Sequence, residues 1–356
     1  MSGTYYIILR DANHLQQLEE KKMKKRLLIL ISMLAVTALF AGCGTDTPEE
    51  TPDTPISQGE NVGEEDNNDE EEIVIVEEPI EKVRVATTIN PVDQLVQIIG
   101  GERVETMKMV PEGADAHDFE PRIRDMGMLA EVDLLFMNGL EIEPWAEKAV
   151  ENSGNTDLAL INLSTGVELI YLDETDDDDD HADDDGHDHG DYDPHIWMSL
   201  DNLIIMSENV KNELTNLIPE GAEDFEKNHA AFVEEATALK EEYQEKFASY
   251  NGRAFVTGHA AFGYMTRELG LEQKSVEGPF QEGEPTPKRL QDLINFVKEE
   301  GINTIFLEEA ASPKVSETLA RETGGKTVAI NPLEVTGELL PSLRDTYDKV
   351  LESFNQ

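Results

Sequence analysis

From residue 83 onward, short runs of β-branched and apolar residues alternate with longer stretches in which apolar residues recur every three or four positions. "VRVATT" predicts a strand. "PVDQLVQIIGG" predicts a helix, because Pro91 stands in its first turn and Gly100 and Gly101 end it. "RVETMKMV" is strand again, Pro121 opens a helix over "PRIRDMGMLAE", and "VDLLFMNG" is a further strand. The pattern then repeats, with strand "RAFVTG", helix "AFGYMTREL" ending at Gly270, and a helix over "TPKRLQDLINFVKEEG" with Thr286 as cap and Pro287 in its first turn. Strand "NTIFLE", a helix from Ser312 and Pro313 to Gly324, and strand "KTVAI" follow. Repeated βα units imply parallel sheets covered by helices, here as two α/β lobes in succession. No short-period repeat is present, which excludes a solenoid.

Between the lobes, residues 222–249 carry Phe225, Phe232 and Leu239 at seven-residue spacing, with His229, Ala236 and Tyr243 four positions after each. One face is apolar and the rest is charged, so this stretch predicts a single amphipathic helix about 42 Å long at 1.5 Å per residue. That exceeds what one small lobe can use, so the helix is expected to span both lobes and stiffen their junction. The expected organisation is a first lobe over 83–221, a connecting helix over 222–250 and a second lobe over 251–356. His229 falls on the apolar stripe and reads as a packed histidine.

Composition changes this picture mainly before residue 83. Residues 44–82 are Pro, Gly, Glu and Asp with little apolar content, which reads as a disordered acidic tether. Before it, Lys24, Lys25 and Arg26 precede an apolar run too short to span a bilayer comfortably. The run ends in small residues at Cys43, so residues 1–43 hold a secretory signal of lipoprotein type, with Met23 as the expected start and Cys43 as the expected lipidation site. Cys43 is the only cysteine, so no internal disulfide can form. The 356-residue chain carries 76 acidic against 28 basic residues, a formal charge of -48. Nucleic acid is therefore excluded as a partner and cations are favoured.

Three histidines stand in polar loops: His117 in "PEGADAHDFEP", His195 in "YDPHIWM" and His259 in "FVTGHAAFGY". In α/β lobes ligands gather beyond the carboxyl ends of the strands, where His117 and His259 lie, one in each lobe. Glu334 in "KTVAINPLE" is similarly placed, and Glu308 and Glu309 at the end of "NTIFLE" are rivals for its role. Three imidazoles and one carboxylate form a tetrahedral N/O set suited to zinc, whereas manganese favours more oxygen. Zinc on three histidines and water can also serve hydrolysis. The chain has no HExxH, however, and a fourth protein ligand would close the position catalysis needs. No enzyme is expected.

The segments "VPEGADAHDFEPRIRDM", "NGLEIEPW", "DPHIWM", "VTGHAAFGYMTRELGLEQ", "EPTPKRLQDLINFVKEEGINTIFLEEAASPKVSETLARETGG" and "INPLE" occur in this order over nearly all of 83–356. Together they closely resemble the zinc and manganese solute-binding proteins of bacterial ABC importers, the ZnuA-like family. The resemblance implies two βα lobes joined by a long helix, with a metal between them held by His117, His195, His259 and Glu334. It implies zinc as cargo, since manganese members usually show a carboxylate at the place of His259; a manganese-specific homologue and a metal-dependent surface adhesin are the alternatives. It further implies delivery to a permease driven by a cytoplasmic ATPase; with Cys43 as the anchor, a monomer lipid-anchored outside the cell membrane or in a periplasm is expected.

Residues 173–193 form an acidic run that contains His181, His187 and His189 immediately before the "DPHIWM" motif. Zinc-importing members commonly carry such a loop. It reads as a weak, mobile collector beside the tight site, or else as a solvated low-complexity insertion that meets metal only incidentally. Phe119 and Trp145 read either as packing beside the metal or as plain core.

Overall fold

The computed structural model describes residues 82–172, 190–281, 286–308 and 313–355. The signal segment, Cys43, the tether up to residue 81, His181, His187, His189, Glu309 and Ser312 lie outside the described residues.

The first sheet is parallel and has four strands, β1 (Val83–Thr87), β2 (Val104–Lys108), β3 (Leu134–Met137) and β4 (Ala159–Asn162), in the order β2-β1-β3-β4. The second repeats the arrangement with β5 (Ala254–Thr257), β6 (Glu272–Ser275), β7 (Thr304–Glu308) and β8 (Lys326–Ile330), in the order β6-β5-β7-β8. Registers run in step, from Val83 beside Val104 in one sheet to Thr304 beside Lys326 in the other. The two α/β lobes with parallel sheets are those the hydrophobic pattern predicts. In each sheet the strand order turns outward in opposite directions from the central pair, β1/β3 or β5/β7. This leaves a crevice at their carboxyl ends, where connections diverge.

The helices are α1 (Asn90–Gly100), α2 (Ile123–Leu129), α3 (Ala146–Asn152), α4 (Leu200–Leu217), α5 (Ala222–Phe247), α6 (Gly263–Leu269), α7 (Pro287–Glu299), α8 (Pro313–Thr323) and α9 (Leu339–Phe354). α1 begins with Pro91 in its first turn and ends at Gly101, whose φ of 53° suits a residue without Cβ. α7 starts as the sequence predicts, with the Thr286 hydroxyl accepting from the Arg289 amide. Two starts differ from expectation. α2 begins at Ile123, not Pro121, because Arg122 is extended and its amide donates to the Asp125 carboxylate. α6 begins at Gly263, because the Phe262 amide is taken by the Gln273 side chain and does not enter a helical turn.

The patterning also leaves out five elements. β4 and β6 are outer strands with few buried positions, so the apolar alternation that marks β1 and β3 is weak in them. α3, α4 and α9 were legible in principle. α4 has Ser199 as its cap, accepting from the Asn202 amide, and Leu203, Met206, Val210 and Leu214 on its buried face.

α5 packs on α1 and α4 of the first lobe and on α6 and α9 after it. Phe225, Phe232, Ala236, Leu239, Tyr243 and Phe247 are buried along it, so its seven-residue stripe is the stripe that packs; His229 is half-buried. One apolar core runs from Val85 and Phe136 through Phe232 and Tyr243 to Phe262, Phe306 and Leu343. A smaller cluster around Val256, Leu293, Val297, Ile305 and Leu319 serves the outer side of the second sheet. The two lobes therefore share their principal core.

Candidate metal centre

His259 lies two residues beyond β5, at the crevice of the second sheet, and Glu334 lies four residues beyond β8. His117 is in the loop after β2, where Asp115 accepts from its amide at 2.9 Å. His195 ends the segment Asp193–His195 and precedes a short 3-10 turn over Ile196–Met198. These residues, far apart in the chain, come together: one donor atom from each of His117, His195, His259 and Glu334 lies within 4.8 Å of all the others. The Nε2 atoms of His259, His195 and His117 stand 3.0, 3.1 and 3.8 Å from the same oxygen, Glu334 Oε1. His195, His259 and Glu334 are fully buried, and the His117 side chain is 6% exposed.

The imidazoles differ in what stands behind them. His195 Nδ1 is 2.8 Å from Asp193 Oδ1, which also accepts from the His195 amide at 3.0 Å. A carboxylate there keeps the proton on Nδ1 and turns the Nε2 lone pair toward the cluster. Glu308 takes the corresponding place behind His259. Its carboxylate accepts from the Gly258 amide at 3.1 Å and stands 3.8 Å from His259 Nδ1. Glu308 thus faces the far side of His259, and the carboxylate among the three Nε2 atoms is Glu334. Phe280 and His259 are both set edge-on to His117, at 6.3 and 6.2 Å between centroids. Phe119 and Trp145 pack on each other at 5.4 Å.

Burial disfavours charge on His195, His259 and Glu334, and neighbouring charges offset this. Burial alone would lower His259, but Glu334 and Glu308 hold its pKa up at about 10. His195 is likewise depressed by burial yet raised overall by Asp193 and Glu334. Burial would raise the Glu334 carboxyl, but charge on His259 and the surrounding imidazoles hold it well below the usual carboxylate range. The balance is incomplete. His117 Nε2, His195 Nε2 and Glu334 Oε2 are buried without a hydrogen-bond partner among the described residues. Buried polar atoms normally have partners, and two orphaned Nε2 atoms that face the same oxygen, Glu334 Oε1, are what a bound cation would satisfy.

The crevice of the first sheet holds a carboxylate that sequence reasoning passed over. Glu143 accepts from the Thr88 hydroxyl at 2.5 Å, the Asn138 amide at 2.9 Å and the Gly139 amide at 3.0 Å. Burial pushes its pKa up to about 7 despite these donors. The turn it organises is unusual, with Gly139, Leu140 and Glu141 all at positive φ. From that turn Asn138 Nδ2 donates to the Pro194 carbonyl at 2.9 Å, so Glu143 braces the peptide just before His195. The signal was the short "NGLEIE" run after a strand, which ends in Glu143 where a core strand gives way to a polar turn.

Two parallel α/β lobes sharing one core, with three imidazoles and a carboxylate converging between them, define a two-lobed receptor for a small cation. The comparisons agree. The family model described as "Zinc-uptake complex component A periplasmic" matches residues 85–355, and the chain belongs to that family. It is 32% identical over 276 residues to a putative metal-binding protein of Treponema pallidum, covering 78% of this chain and 86% of that protein. It is 30% identical over 271 residues to the zinc-binding lipoprotein AdcA of Streptococcus pneumoniae, covering 76% of this chain but only 54% of that relative, so it spans about half of AdcA's length. Among solved structures it is similar to the laminin-binding protein Lmb of Streptococcus agalactiae, described as bifunctional with adhesin and metal-transporting activity. The TM-score is 0.68 at 27% identity, over 77% of this chain and 99% of that one. The family is one of binding components for uptake, not of enzymes.

Proposed function

We propose that this chain captures zinc outside the cytoplasm and delivers it to the permease of an ABC importer, with His117, His195, His259 and Glu334 as ligands. The observation that carries this reading is the convergence of the Nε2 atoms of His117, His195 and His259 on Glu334 Oε1 within 3.8 Å, with those of His117 and His195 buried and without a hydrogen-bond partner among the described residues. A dication at their centre would satisfy all of them at bond lengths of about 2.0–2.2 Å. Three nitrogens and one carboxylate favour zinc over manganese, which prefers a larger share of oxygen. Four protein ligands also close the coordination sphere, which suits capture and leaves no open position for a reacting water. In the same reading Cys43 carries a lipid anchor, the acidic stretch 44–82 holds a monomeric receptor away from the membrane, and His181, His187 and His189 act as weak accessory ligands.

The test is metal analysis of the native protein followed by zinc/manganese competition on single variants. Wild type is expected to hold one tight zinc. His259→Ala and Glu334→Ala should each weaken zinc by more than the ~10–100-fold that a change behind a ligand costs. His259→Asp should move preference toward manganese, since it leaves two imidazoles and two carboxylates. Tighter manganese than zinc in wild type, or a Glu334→Ala protein with unchanged zinc affinity, would overturn the assignment. The likeness to Lmb favours adhesion as a second reading, and it predicts saturable laminin binding by the intact chain.

A further inference from the structure

Glu334 reaches the cluster on a segment whose conformation the second lobe does not hold alone. Leu333, immediately before it, is fully buried and left-handed at φ 70°, an unusual state for a bulky residue. Such a conformation persists where the surroundings over-determine it. Part of the hold is local. Asn331 Oδ1 accepts from the Leu333 amide at 2.7 Å, and Asn331 Nδ2 donates to the Thr336 carbonyl at 2.9 Å. The rest comes from the first lobe. The indole N–H of Trp197 donates to the Pro332 carbonyl at 2.7 Å. Asn90, at the start of α1, donates through Nδ2 to the Leu333 carbonyl at 2.9 Å and to the Gly337 carbonyl at 3.1 Å. Trp197 also sets its ring edge against His195 at 5.2 Å, so one side chain touches one proposed ligand and holds the segment that carries another.

We infer that Trp197 and Asn90 are positioning residues that set the Glu334 carboxylate from the opposite lobe. This rests on the reading of Glu334 as a metal ligand. Both donors are buried, and their bonds end on the two carbonyls directly before Glu334 and on one three residues beyond it. The backbone that carries the carboxylate is therefore held in part by hydrogen bonds between lobes, beside the local ones from Asn331. Bonds that set the backbone on both sides of the fourth ligand should govern how tightly the metal is held.

Coupling separates this role from simple interface stability. Zinc dissociation constants would be measured by chelator competition in wild type, Trp197→Phe, Asn90→Ala, Glu334→Gln and the doubles Trp197→Phe/Glu334→Gln and Asn90→Ala/Glu334→Gln. The visible spectrum of the cobalt-loaded proteins and the melting temperature of each metal-free protein complete the set. Trp197→Phe removes the donor together with one of the two fused rings of a fully buried indole, so a fall in melting temperature by itself does not count for the inference. Trp197→Phe and Asn90→Ala are expected to weaken zinc ~10–100-fold, the usual effect of removing a ligand's hydrogen-bond partner. The cobalt spectrum of each should shift toward that of Glu334→Gln, and neither should cost further affinity once Glu334 is already changed. Equal losses with and without Glu334, or a lowered melting temperature with unchanged affinity and cobalt spectrum, would overturn the inference alone. A Glu334→Gln protein that binds zinc as wild type does would overturn both the inference and the ligand assignment.

Discussion

At the scale of single residues, the cluster couples metal to protons. Because His259 is held up at about 10 by Glu334 and Glu308, it carries a proton at neutral pH when no metal is bound. A metal needs that lone pair, so binding must expel the proton. Zinc titrations near pH 7 in buffers of different ionisation enthalpy should show release of at least one proton per metal, with affinity still rising as pH approaches 10; release of none would contradict the assignment. The same groups set how metal-free stability depends on pH. His259, with its folded pKa raised, contributes fully below about 6.5 and loses that contribution as pH rises through about 10. Glu334, with its folded pKa depressed, contributes above its ordinary range near 4.5 and loses it as pH falls through the lower folded value. Thermal scans of the metal-free protein should therefore fall off on both sides of this window.

At the scale of elements, α4 is started from outside its own lobe. Ser199 gives it a cap, and Glu268 at the end of α6 accepts from the Ser199 hydroxyl, the Leu200 amide at 3.3 Å and the Asp201 amide at 3.1 Å. A carboxylate also complements the positive end of the helix. Glu268→Ala leaves these donors without their acceptor and should cost about 1–2 kcal/mol in urea unfolding, as loss of a helix cap does. Zinc affinity should change little, since Glu268 is not in the cluster. Helix starts were legible where a cap stands beside a proline, as at Thr286 and Pro287. They were misplaced at α2 and α6, where Asp125 and Gln273 take the first amides, because a side chain's choice of partner depends on what the fold brings near.

At the scale of the whole molecule, lobes that share a core resist separation. Besides the apolar continuity, Tyr264 donates to the Asp193 carbonyl at 2.8 Å and accepts from the Ile170 amide at 3.1 Å, and Arg267 donates to the Glu168 carbonyl at 2.7 Å. α5 packs on helices of both lobes, with neither proline nor glycine in it to serve as a kink. Small-angle scattering with and without zinc should show the radius of gyration changing by no more than about 1 Å, in keeping with preorganised binding. A large compaction would mean that the shared core opens.

The sequence alone determined the parallel α/β class, the two successive lobes, the long amphipathic helix and the residue types of the site. Each of these is written in local periodicity or in a polar residue placed just past an apolar strand. It also nominated His117, His195, His259 and Glu334, with help from a resemblance that runs along most of the chain. It left Glu308 as a rival to Glu334, since both follow strands of the second lobe and spacing cannot say which side of an imidazole a carboxylate faces. Only the tertiary structure placed Glu308 behind His259 and Glu334 among the three Nε2 atoms. Likewise, no local pattern joins Trp197 to Pro332 or Glu268 to Ser199. Those partners are separated by 135 and 69 residues and meet because two sheets bury one common core.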